Sequence, residues 1–404
     1  MLTRPALFSL AFWLAFAGVL RVAVIPPESC GHDDPPAIQQ AAAAAMDWVQ
    51  RNQGPDGRYV YLYYSDTDTV PDEYNDVRHA GVTVALYQAA DRYADPAAFQ
   101  AAEAGRRWMT DHLVRRHDWA ALAPYQDSAS LGATALMTVG LAERRLATGD
   151  TSFDPLMHDL GRFIAAVQRP DGGFYVYWNL ATDEPDREST SRYYPGESLW
   201  ALALLHQAFP GAGWDTAARR ALDFITALRD DVEDVSFPPL ADQWAAYGMA
   251  EMSGWGLSDS QIAYARRLAE RFGFLVRIEA QRQHGRLGTL VRGRQSRAAG
   301  MGTWVEALAA LWRVSVADFR LADLTPRIRE RAQCAAGILA ERQVSAEEAA
   351  RHPRPDLMRG AWFRGGETRM DDEQHALSGL LYTLDALNGR AQRGPDGPVA
   401  GLLP

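Results

Sequence analysis

The chain of 404 residues is poor in several features that usually point to a function. It contains no lysine, so all 41 basic residues are arginine. Codon bias in a GC-rich genome accounts for this, and we attach no function to it. The formal net charge is −10, and such a chain has no global field that would attract phosphates. The composition therefore argues against nucleic acid as a general partner.

Cysteine is nearly absent as well. Cys30 and Cys334 form no metal-binding motif, and two cysteines do not suggest a disulfide framework. Cys334 lies in a helical stretch, where we expect a small buried core residue. Cys30 follows Pro-Glu-Ser, which fits a lipidation signal poorly. The nine histidines are scattered along the chain, and we expect neither a metal ion nor a cofactor.

Only one stretch of the chain is apolar and long enough to engage a bilayer. Residues 6–20 form an apolar run that Arg21 interrupts. Two interpretations fit this pattern: a cleaved signal peptide with an Ala-x-Ala site at residues 15–17, or an N-terminal membrane anchor. We assign residues 1–30 to this segment. Both interpretations place the rest of the chain in the periplasm or outside the cell, and the second tethers it to the inner membrane.

Strand patterns are scarce, and from residue 36 onward the apolar periodicity is helical nearly everywhere. Glycine, proline and polar caps divide the chain into twelve helices. Their predicted bounds are 36–53, 76–94, 96–116, 128–148, 154–168, 196–209, 214–230, 241–253, 258–283, 302–316, 325–343 and 371–388. Two related loop sequences, QGPDGRYVYLYY at residues 53–64 and QRPDGGFYVYWN at 168–179, predict short β-excursions and an internal repeat.

The helices alternate in character along the chain. Odd helices, such as that at residues 214–230, are amphipathic and charged, whereas even helices, such as GESLWALALLHQAF at 196–209, are apolar nearly all round. A helix that is apolar on every face must be buried on every face. We therefore expect an all-α fold, an (α/α)6 toroid of six helical hairpins with inner and outer rings, over residues 31–390. A disordered tail follows at 391–404.

The long linkers are those that enter the apolar helices, and they predict where a site lies. Long ordered loops are usually functional, and these carry aromatic residues and glycine. Because all six inner helices enter the ring from the same face, their N-termini converge there with unpaired backbone amides. Polar, aromatic and ionisable side chains stand at each of these N-termini. We therefore predict a ligand pocket at this end of the ring.

Ionisable residues at the helix starts are candidates for catalysis. They are Glu197, Asp242, Glu306, Asp372, His375 and His79. Glu197 and Glu306 stand inside apolar helices, where a charge is buried only if it is paired or faces a cavity. A helix cap is the alternative role for aspartates such as Asp242, and a structural hydrogen bond is the alternative for the histidines.

Other residues at the same helix starts are candidates for substrate binding. They are Asn75, Asp76, Arg78, Asp127, Tyr193, Tyr194, Gln243, Trp244, Tyr247, Trp304, Arg369, Asp371 and Gln374. The aromatic members suit stacking against sugar rings, with ordinary packing as the alternative. Nine arginines between residues 266 and 297 form either a solvated helix face or an anion-binding rim, and their position before the fifth inner helix favours an acidic glycan.

The predicted ring resembles the six-hairpin (α/α)6-toroid superfamily over residues 36–390. YYPGES at residues 193–198 is similar to epimerase-like members of this group, which includes six-hairpin glycosidases, polysaccharide lyases and glucuronyl C5-epimerases. A weaker similarity is to terpenoid cyclases and prenyltransferases, whose Gln…Asp-Gly-aromatic repeats match the two repeated loops. The cyclase Asp-x-Asp-Asp motif is absent from the sequence, and no Cys/His/Asp zinc set of the prenyltransferase type is evident.

The resemblance implies a carbohydrate-active enzyme outside the cytoplasm that acts on a polysaccharide or oligosaccharide, with the reaction left open. A glycosidase needs two carboxyls flanking the bond, and the carboxyl candidates offer several pairs. A lyase or epimerase needs a base and a group that stabilises the enolate, such as Arg78 or Arg369. The candidate bases are His79, His375, Tyr194 and Tyr247. A terpenoid cyclase-like enzyme and a non-catalytic glycan-binding or envelope scaffold are the alternatives.

Overall fold

The computed structural model describes residues 4–21, 26–116, 118–125, 127–235, 240–282, 286–391 and 402, with only the backbone described for 286–288. Within these residues the helices are, in chain order, α1 (Arg4–Val19), α2 (Pro35–Arg51), α3 (Asp76–Tyr93), α4 (Pro96–Asp111), α5 (Leu131–Thr148), α6 (Asp154–Ala166), α7 (Tyr194–Ala208), α8 (Trp214–Ala227), α9 (Arg229–Val232), α10 (Gln243–Glu251), α11 (Asp259–Ala280), α12 (Arg286–Arg292), α13 (Ala298–Ala317), α14 (Thr325–Arg342), α15 (Ala346–Ala349), α16 (Pro355–Met358) and α17 (Met370–Leu387). The strands are β1 (Leu62–Tyr64), β2 (Leu113–Arg116), β3 (Trp119–Leu122), β4 (Ser128–Ser130), β5 (Tyr177–Asn179), β6 (Glu184–Pro185) and β7 (Glu367–Arg369).

Six helices form a closed inner ring. They are α3, α5, α7, α10, α13 and α17, and each contacts the next, with α17 closing against α3. In α7 every residue from Pro195 to Leu205 is buried, as an all-round apolar helix requires. The outer helices α2, α4, α6, α8, α11 and α14 each bury one face; α8, for example, turns Ala218, Leu222 and Ile225 inward. The predicted all-α (α/α)6 toroid is confirmed.

Two predicted helix bounds were wrong because the chain forms strands there. The helix predicted at 96–116 ends at Asp111, and β2 pairs with β3 in an antiparallel hairpin. The helix predicted to begin at residue 128 begins at Leu131, because β4 pairs with β5. All four residues of β3 are buried, so its sequence WAAL lacks the alternation that marks a half-exposed strand.

The two repeated loops form the predicted β-excursions and share a geometry. β1 pairs with β7, and β5 pairs with β4 and β6. After α2, Gln53 donates from Nε2 to the carbonyls of Gly57 and of Ala101 in α4, at 3.1 and 3.0 Å. After α6, Gln168 makes the same pair of bonds, the second to Ala217 in α8 at 3.0 Å. Each glutamine thus ties the end of one outer helix to the next.

A third glutamine extends this pattern. Gln343, which follows α14, donates from Nε2 to the carbonyls of Ala41 in α2 and of Gly360, both at 2.9 Å. Gly360 has a φ of +86°, and a Cβ there would lie 2.5 Å from the carbonyl oxygen of Ala44. The repeat predicted from two loops therefore has a third copy whose sequence gave no signal.

The N-terminal linker bridges α11 and α14. Ser29 donates its backbone amide to the carbonyl of Ala280 at the end of α11, at 2.8 Å, and Cys30 forms a disulfide with Cys334 of α14. The prediction that the two cysteines form no disulfide was therefore wrong. The bond also excludes lipidation of Cys30 in this state. A cross-link over 304 residues stabilises the fold by about 6 kcal/mol in the chain-entropy account.

Helix α1 differs from the toroid helices in its exposure. None of its residues is buried, and Phe8 is 83% exposed. Among the described helices, none combines the length and the hydropathy needed to cross a bilayer. The tail predicted at 391–404 lies outside the described residues, apart from 391 and 402.

Candidate active site

The N-terminal end of the inner ring encloses an open cavity of about 550 Å³, a volume typical of ligand sites. Every inner helix or the residue just before it contributes to the lining. The lining residues are Asn75, Val77, Arg78, Leu136, Tyr193, Tyr194, Glu197, Leu240, Ala241, Gln243, Trp244, Ala299, Gly300, Thr303, Trp304, Asp371, Gln374 and His375. The convergence of polar helix starts predicted from the sequence is therefore present.

Glu197 lies on the cavity wall in the first turn of α7. Its side chain is almost wholly buried, and Oε2 has no hydrogen-bond partner in the described structure. Burial, and then the negative charges of Asp242 and Asp76, raise the pKa of Glu197 well above its ordinary value. The raised pKa favours the protonated carboxylic acid of Glu197, which is the form that can donate a proton.

Gly132 of α5 makes the space that Glu197 occupies. A Cβ at this position would lie 2.5 Å from Oε2 of Glu197 and 2.5 Å from the ring of Tyr194. Burial, and then the charge of Glu197, raise the pKa of Tyr194, so this phenol keeps its proton and is a poor base. Sequence reasoning did not select Gly132, whose only signal is its position at the start of an inner helix.

The wall opposite Glu197 belongs to α17. The inner ring runs α3, α5, α7, α10, α13, α17, so α17 lies three helices from α7 in either direction. His375 and Asp371, which both line the cavity from α17, therefore approach a bound molecule from the side opposite Glu197.

His375 is held by a buried carboxylate. Its Nδ1 lies 2.8 Å from Oε2 of Glu306, which is fully buried behind the lining, and Nε2 of Gln374 donates to the other oxygen at 3.4 Å. Burial lowers the pKa of His375, but the charge and hydrogen bond of Glu306 outweigh it and the pKa is raised. Because Nδ1 is engaged, Nε2 is the nitrogen available to a ligand. The rings of His375 and Trp244 lie near each other, with ring centroids 5.5 Å apart.

Asp371 stands between two guanidinium groups on the same wall. Its Oδ2 lies 3.2 Å from Nε of Arg78 and 3.3 Å from Nη2 of Arg369. Its Oδ1 is buried and has no hydrogen-bond partner among the described residues. The carboxylate is thus held by Oδ2, and the hydrogen-bonding capacity of Oδ1 is left unsatisfied within the described residues.

Two predicted catalytic aspartates do not line the cavity. Asp242 caps α10 by accepting from the amides of Trp244 and Ala245 at 3.0 and 3.2 Å, and it forms a fully buried ion pair with Arg229. Its charge and lone pairs are satisfied, so the helix-cap alternative describes this residue.

Asp372 is also engaged by the protein. It accepts from the amide of Ala299 at 2.9 Å and pairs with Arg297 at 2.8 Å. These bonds join the starts of α13 and α17. The predicted catalytic role for Asp372 therefore does not fit its position.

His79 lies outside the cavity as well. Its Nδ1 accepts from the hydroxyl of Tyr74 at 2.5 Å, and its Nε2 donates to the carbonyl of Gly105 at 2.9 Å. Burial lowers the pKa of His79 to about 3, so the imidazole is neutral with both nitrogens engaged. The structural alternative describes this histidine, and a role as base does not fit.

Four predicted binding residues lie away from the lining. Asp127 is exposed in the loop before β4, and Asp76 is buried beside the cavity. Tyr247 is buried and stacks on Trp200 with ring centroids 4.4 Å apart; burial raises its pKa, so it does not suit a base. Arg369 contacts Asp371, and Asp371 lines the cavity.

The arginines between residues 266 and 297 whose side chains are described do not form the rim of the cavity. Of those whose side chains are described, none lines it. Arg266 pairs with Asp323 at 2.8 Å, and Arg297 holds Asp372. The anion-binding rim is therefore not formed at this site, and the sequence argument for an acidic glycan loses its basis.

Comparisons with known proteins agree on the fold. No protein-family model matches the chain, and no curated protein matches its sequence. Cellobiose 2-epimerase from Spirochaeta thermophila matches with a TM-score of 0.60 at 15% identity, over 87% of this chain and 98% of that chain. An unsaturated glucuronyl hydrolase specific for heparin matches at 0.59 and 11%, over 88% and 99%. A family 76 glycoside hydrolase from a bovine Bacteroides thetaiotaomicron strain matches at 0.58 and 11%, over 87% and 78%. The chain has the fold of the six-hairpin (α/α)6 toroid superfamily.

Proposed function

We propose that this protein is a carbohydrate-active enzyme that moves protons to and from a sugar held between two opposite walls of the toroid cavity. One observation carries the proposal: the carboxyl of Glu197, whose raised pKa favours its protonated form, stands across the ring from His375, which the buried Glu306 orients. A base on one side of a carbon and an acid on the other can remove a proton from one face and return one to the opposite face. The reaction that this arrangement favours is epimerisation next to a sugar carbonyl.

Each group has a defined role in this reaction. Nε2 of His375 takes the proton from the carbon next to the carbonyl, the C–H electron pair becomes the new C=C bond, and the carbonyl oxygen becomes an enolate oxygen. Arg78, which lines the cavity, supplies positive charge near that oxygen. Glu197 then donates its proton to the opposite face of the carbon as the carbonyl re-forms. Exchange with solvent returns both groups to their first protonation states.

The remaining lining suits a sugar. Trp244, Trp304 and Tyr193 line the cavity and offer flat apolar faces with polar edges, which pack against sugar rings. Structures of a cellobiose 2-epimerase, a sugar epimerase and a D-mannose isomerase share this fold, which supports the proposal. The polar and charged lining gives no support to a terpenoid cyclase, whose pocket would be dry and aromatic.

A specific observation also favours a second candidate, glycoside hydrolysis. Asp371 lines the cavity from the wall opposite Glu197, and its Oδ1 has no hydrogen-bond partner among the described residues. An acid and a carboxylate on two sides of a glycosidic bond are the groups that hydrolysis needs. Of the four carboxyls predicted from the sequence for this role, Glu197 alone lines the cavity, so the pair would be Glu197 and Asp371.

Incubation with reducing mono- and disaccharides in D₂O, followed by NMR, separates these candidates. Epimerisation predicts deuterium at the carbon next to the carbonyl and a new epimer; hydrolysis predicts shorter sugars without deuterium there. Glu197→Gln and His375→Asn should each lower epimerisation by about 100-fold or more, while Asp127→Asn, which removes an exposed carboxyl, should not. Saccharide binding without any turnover would favour the scaffold alternative and contradict the proposal.

We also propose that the protein works outside the cytoplasm, where the N-terminal apolar segment would direct it. The disulfide between Cys30 and Cys334 supports this, because such bonds persist in oxidising compartments. Trapping free thiols in intact cells tests the location: the two cysteines should resist alkylation until a reductant is added. Ready alkylation would contradict it.

A further inference from the structure

The place of the sugar carbonyl in the cavity decides where the rest of a longer saccharide can go. In a reducing oligosaccharide only the last unit has a carbonyl, so that unit must lie between His375 and Glu197. Deeper in the ring, buried Tyr247 of α10 packs against buried Tyr382 of α17, with ring centroids 5.1 Å apart. Because α10 and α17 are not neighbours in the ring, this contact crosses its interior. Any further sugar unit must therefore leave through the open mouth.

In the part of the chain that the structure describes, every exposed tyrosine lies at this mouth. Tyr64, Tyr125 and Tyr193 are 37, 62 and 45% exposed. Tyr193 lines the cavity, and the other two lie in the linkers that enter α3 and α5 at the same end. Single exposed aromatic residues are normal on a protein surface, so the contacts of Tyr125 decide whether it has a function.

The hydroxyl of Tyr125 fixes this residue beside the cavity. It donates to the backbone carbonyl of Tyr74 at 3.0 Å, and the next residue, Asn75, lines the cavity and caps α3. Burial, and then the charge of Asp76, raise the pKa of Tyr125, and the same charge acts on Glu197. Tyr125 therefore lies where the linker to α5 meets the start of α3, at the edge of the cavity.

The ring of Tyr125 is bare, unlike those of its neighbours. The guanidinium of Arg58 lies 4.2 Å from the ring centroid of Tyr74, and that of Arg78 lies 5.5 Å from the ring centroid of Tyr61. Among the described residues, no aromatic ring or guanidinium stacks on Tyr125. A tyrosine ring that is held in place and left bare offers an apolar face to a sugar ring at little cost in side-chain entropy.

We propose that Tyr125 forms an outer sugar subsite, and that the substrate is a reducing oligosaccharide of at least two units. The reducing unit enters the cavity with its carbonyl between His375 and Glu197, and the second unit packs its apolar face on the ring of Tyr125. This contact is the same before and during proton transfer, so it strengthens binding without accelerating the chemical step. The inference rests on the proposed function, because it extends the same site outward.

Matched pairs of sugars test the subsite: glucose with cellobiose, and mannose with mannobiose. In calorimetric titrations, wild type should bind each disaccharide more tightly than its monosaccharide. Tyr125→Ala should weaken binding of the disaccharides about three- to tenfold and leave that of the monosaccharides unchanged. In turnover, KM for the disaccharides should rise by a similar factor while kcat stays near that of wild type.

Two further variants are controls. Tyr125→Phe keeps the ring and loses only the bond to Tyr74, so its binding should lie between those of wild type and Tyr125→Ala. Phe319→Ala removes an 87% exposed ring beyond the end of α13, away from the mouth, and should bind all four sugars as wild type does. An equal loss for mono- and disaccharides in Tyr125→Ala, or no loss, would overturn the subsite. A loss confined to disaccharides, without turnover of any sugar, would support the subsite and contradict the proposed reaction.

Discussion

The starts of α7 and α10 each carry a buried carboxyl, and the two differ in their partners. Asp242 is 0% exposed and is satisfied by two backbone amides and Arg229. Glu197 is 3% exposed, has an oxygen without a hydrogen-bond partner among the described residues, and lines a cavity. Both carboxyls are buried, so they differ in their hydrogen-bond partners. A carboxyl whose oxygens are all hydrogen-bonded stabilises the fold, whereas one with an unsatisfied oxygen is available for chemistry.

The opposite wall repeats this contrast within one helical turn. Asp372 is held by Arg297 and a backbone amide, whereas one oxygen of its neighbour Asp371 has no hydrogen-bond partner in the part of the chain that the structure describes. Successive residues on a helix point about 100° apart, so one carboxyl enters the interface between α13 and α17 while the other reaches the cavity. Each wall thus carries one carboxyl that is fully bonded within the protein and one that lines the cavity.

Asp242→Ala should give the largest loss of stability. It leaves Arg229 buried without its partner and removes the cap of α10, which costs about 3–5 kcal/mol in the free energy of unfolding. Asp34→Ala is the matched control, because Asp34 caps the exposed start of α2 through a single bond to the amide of Ala37, worth about 1 kcal/mol. Urea unfolding measures both. Equal losses would mean that the buried pair contributes nothing beyond the cap.

Gly132→Ala should disturb the open carboxyl from the neighbouring wall. The added methyl would meet Oε2 of Glu197 and the ring of Tyr194 at 2.5 Å, and such overpacking costs about 1–3 kcal/mol. We expect turnover to fall with it. Gly140→Ala on the same helix is the control, since its nearest neighbour atom would be 3.6 Å away; it should be neutral or slightly stabilising. Unaltered turnover in Gly132→Ala would show that Glu197 has room to move.

Glu197→Gln should remove activity without removing stability. The folded pKa of Glu197 is raised above its ordinary value of 4.5, so above that pH the unfolded chain releases a proton that the folded protein keeps. Glu197 therefore destabilises the fold increasingly over the pH range above about 4.5 in which the folded protein keeps this proton. The variant lacks this effect, and its melting temperature relative to wild type should rise over that range. A relative melting temperature that falls instead would mean that Glu197 is ionised and paired.

Glu306→Gln should have the smallest effect on stability and a defined effect on titration. The charge of Glu306 raises the pKa of His375, so its removal lowers that pKa. His375 then stays in its basic form to lower pH, and the acid limb of the pH–activity profile should move down. NMR titration of the His375 ring gives the same answer without an activity assay. If the acid limb does not move, the charge of Glu306 does not set the His375 titration that limits activity.

Much of the architecture could be predicted because its signals are local. All-round apolar composition in alternate helices predicts burial, and helix starts predict where polar groups converge. The same rule selected Glu197 and Glu306 as charges inside apolar helices, and both are buried. This rule did not distinguish Glu197, which lines the cavity, from Glu306, which lies behind His375, because that difference depends on how α13 and α17 pack.

What the amino-acid order determined by itself is which faces are buried: the ring of inner helices, the polar end and the β-excursions all follow from periodicity and turn residues. Only the tertiary structure decided which buried groups find partners. The bonds from Glu306 to His375 and from Cys30 to Cys334 join positions 69 and 304 residues apart. Hydrophobic pattern sets depth from the surface, whereas hydrogen bonds and ion pairs require directed contacts that exist only once the helices have packed.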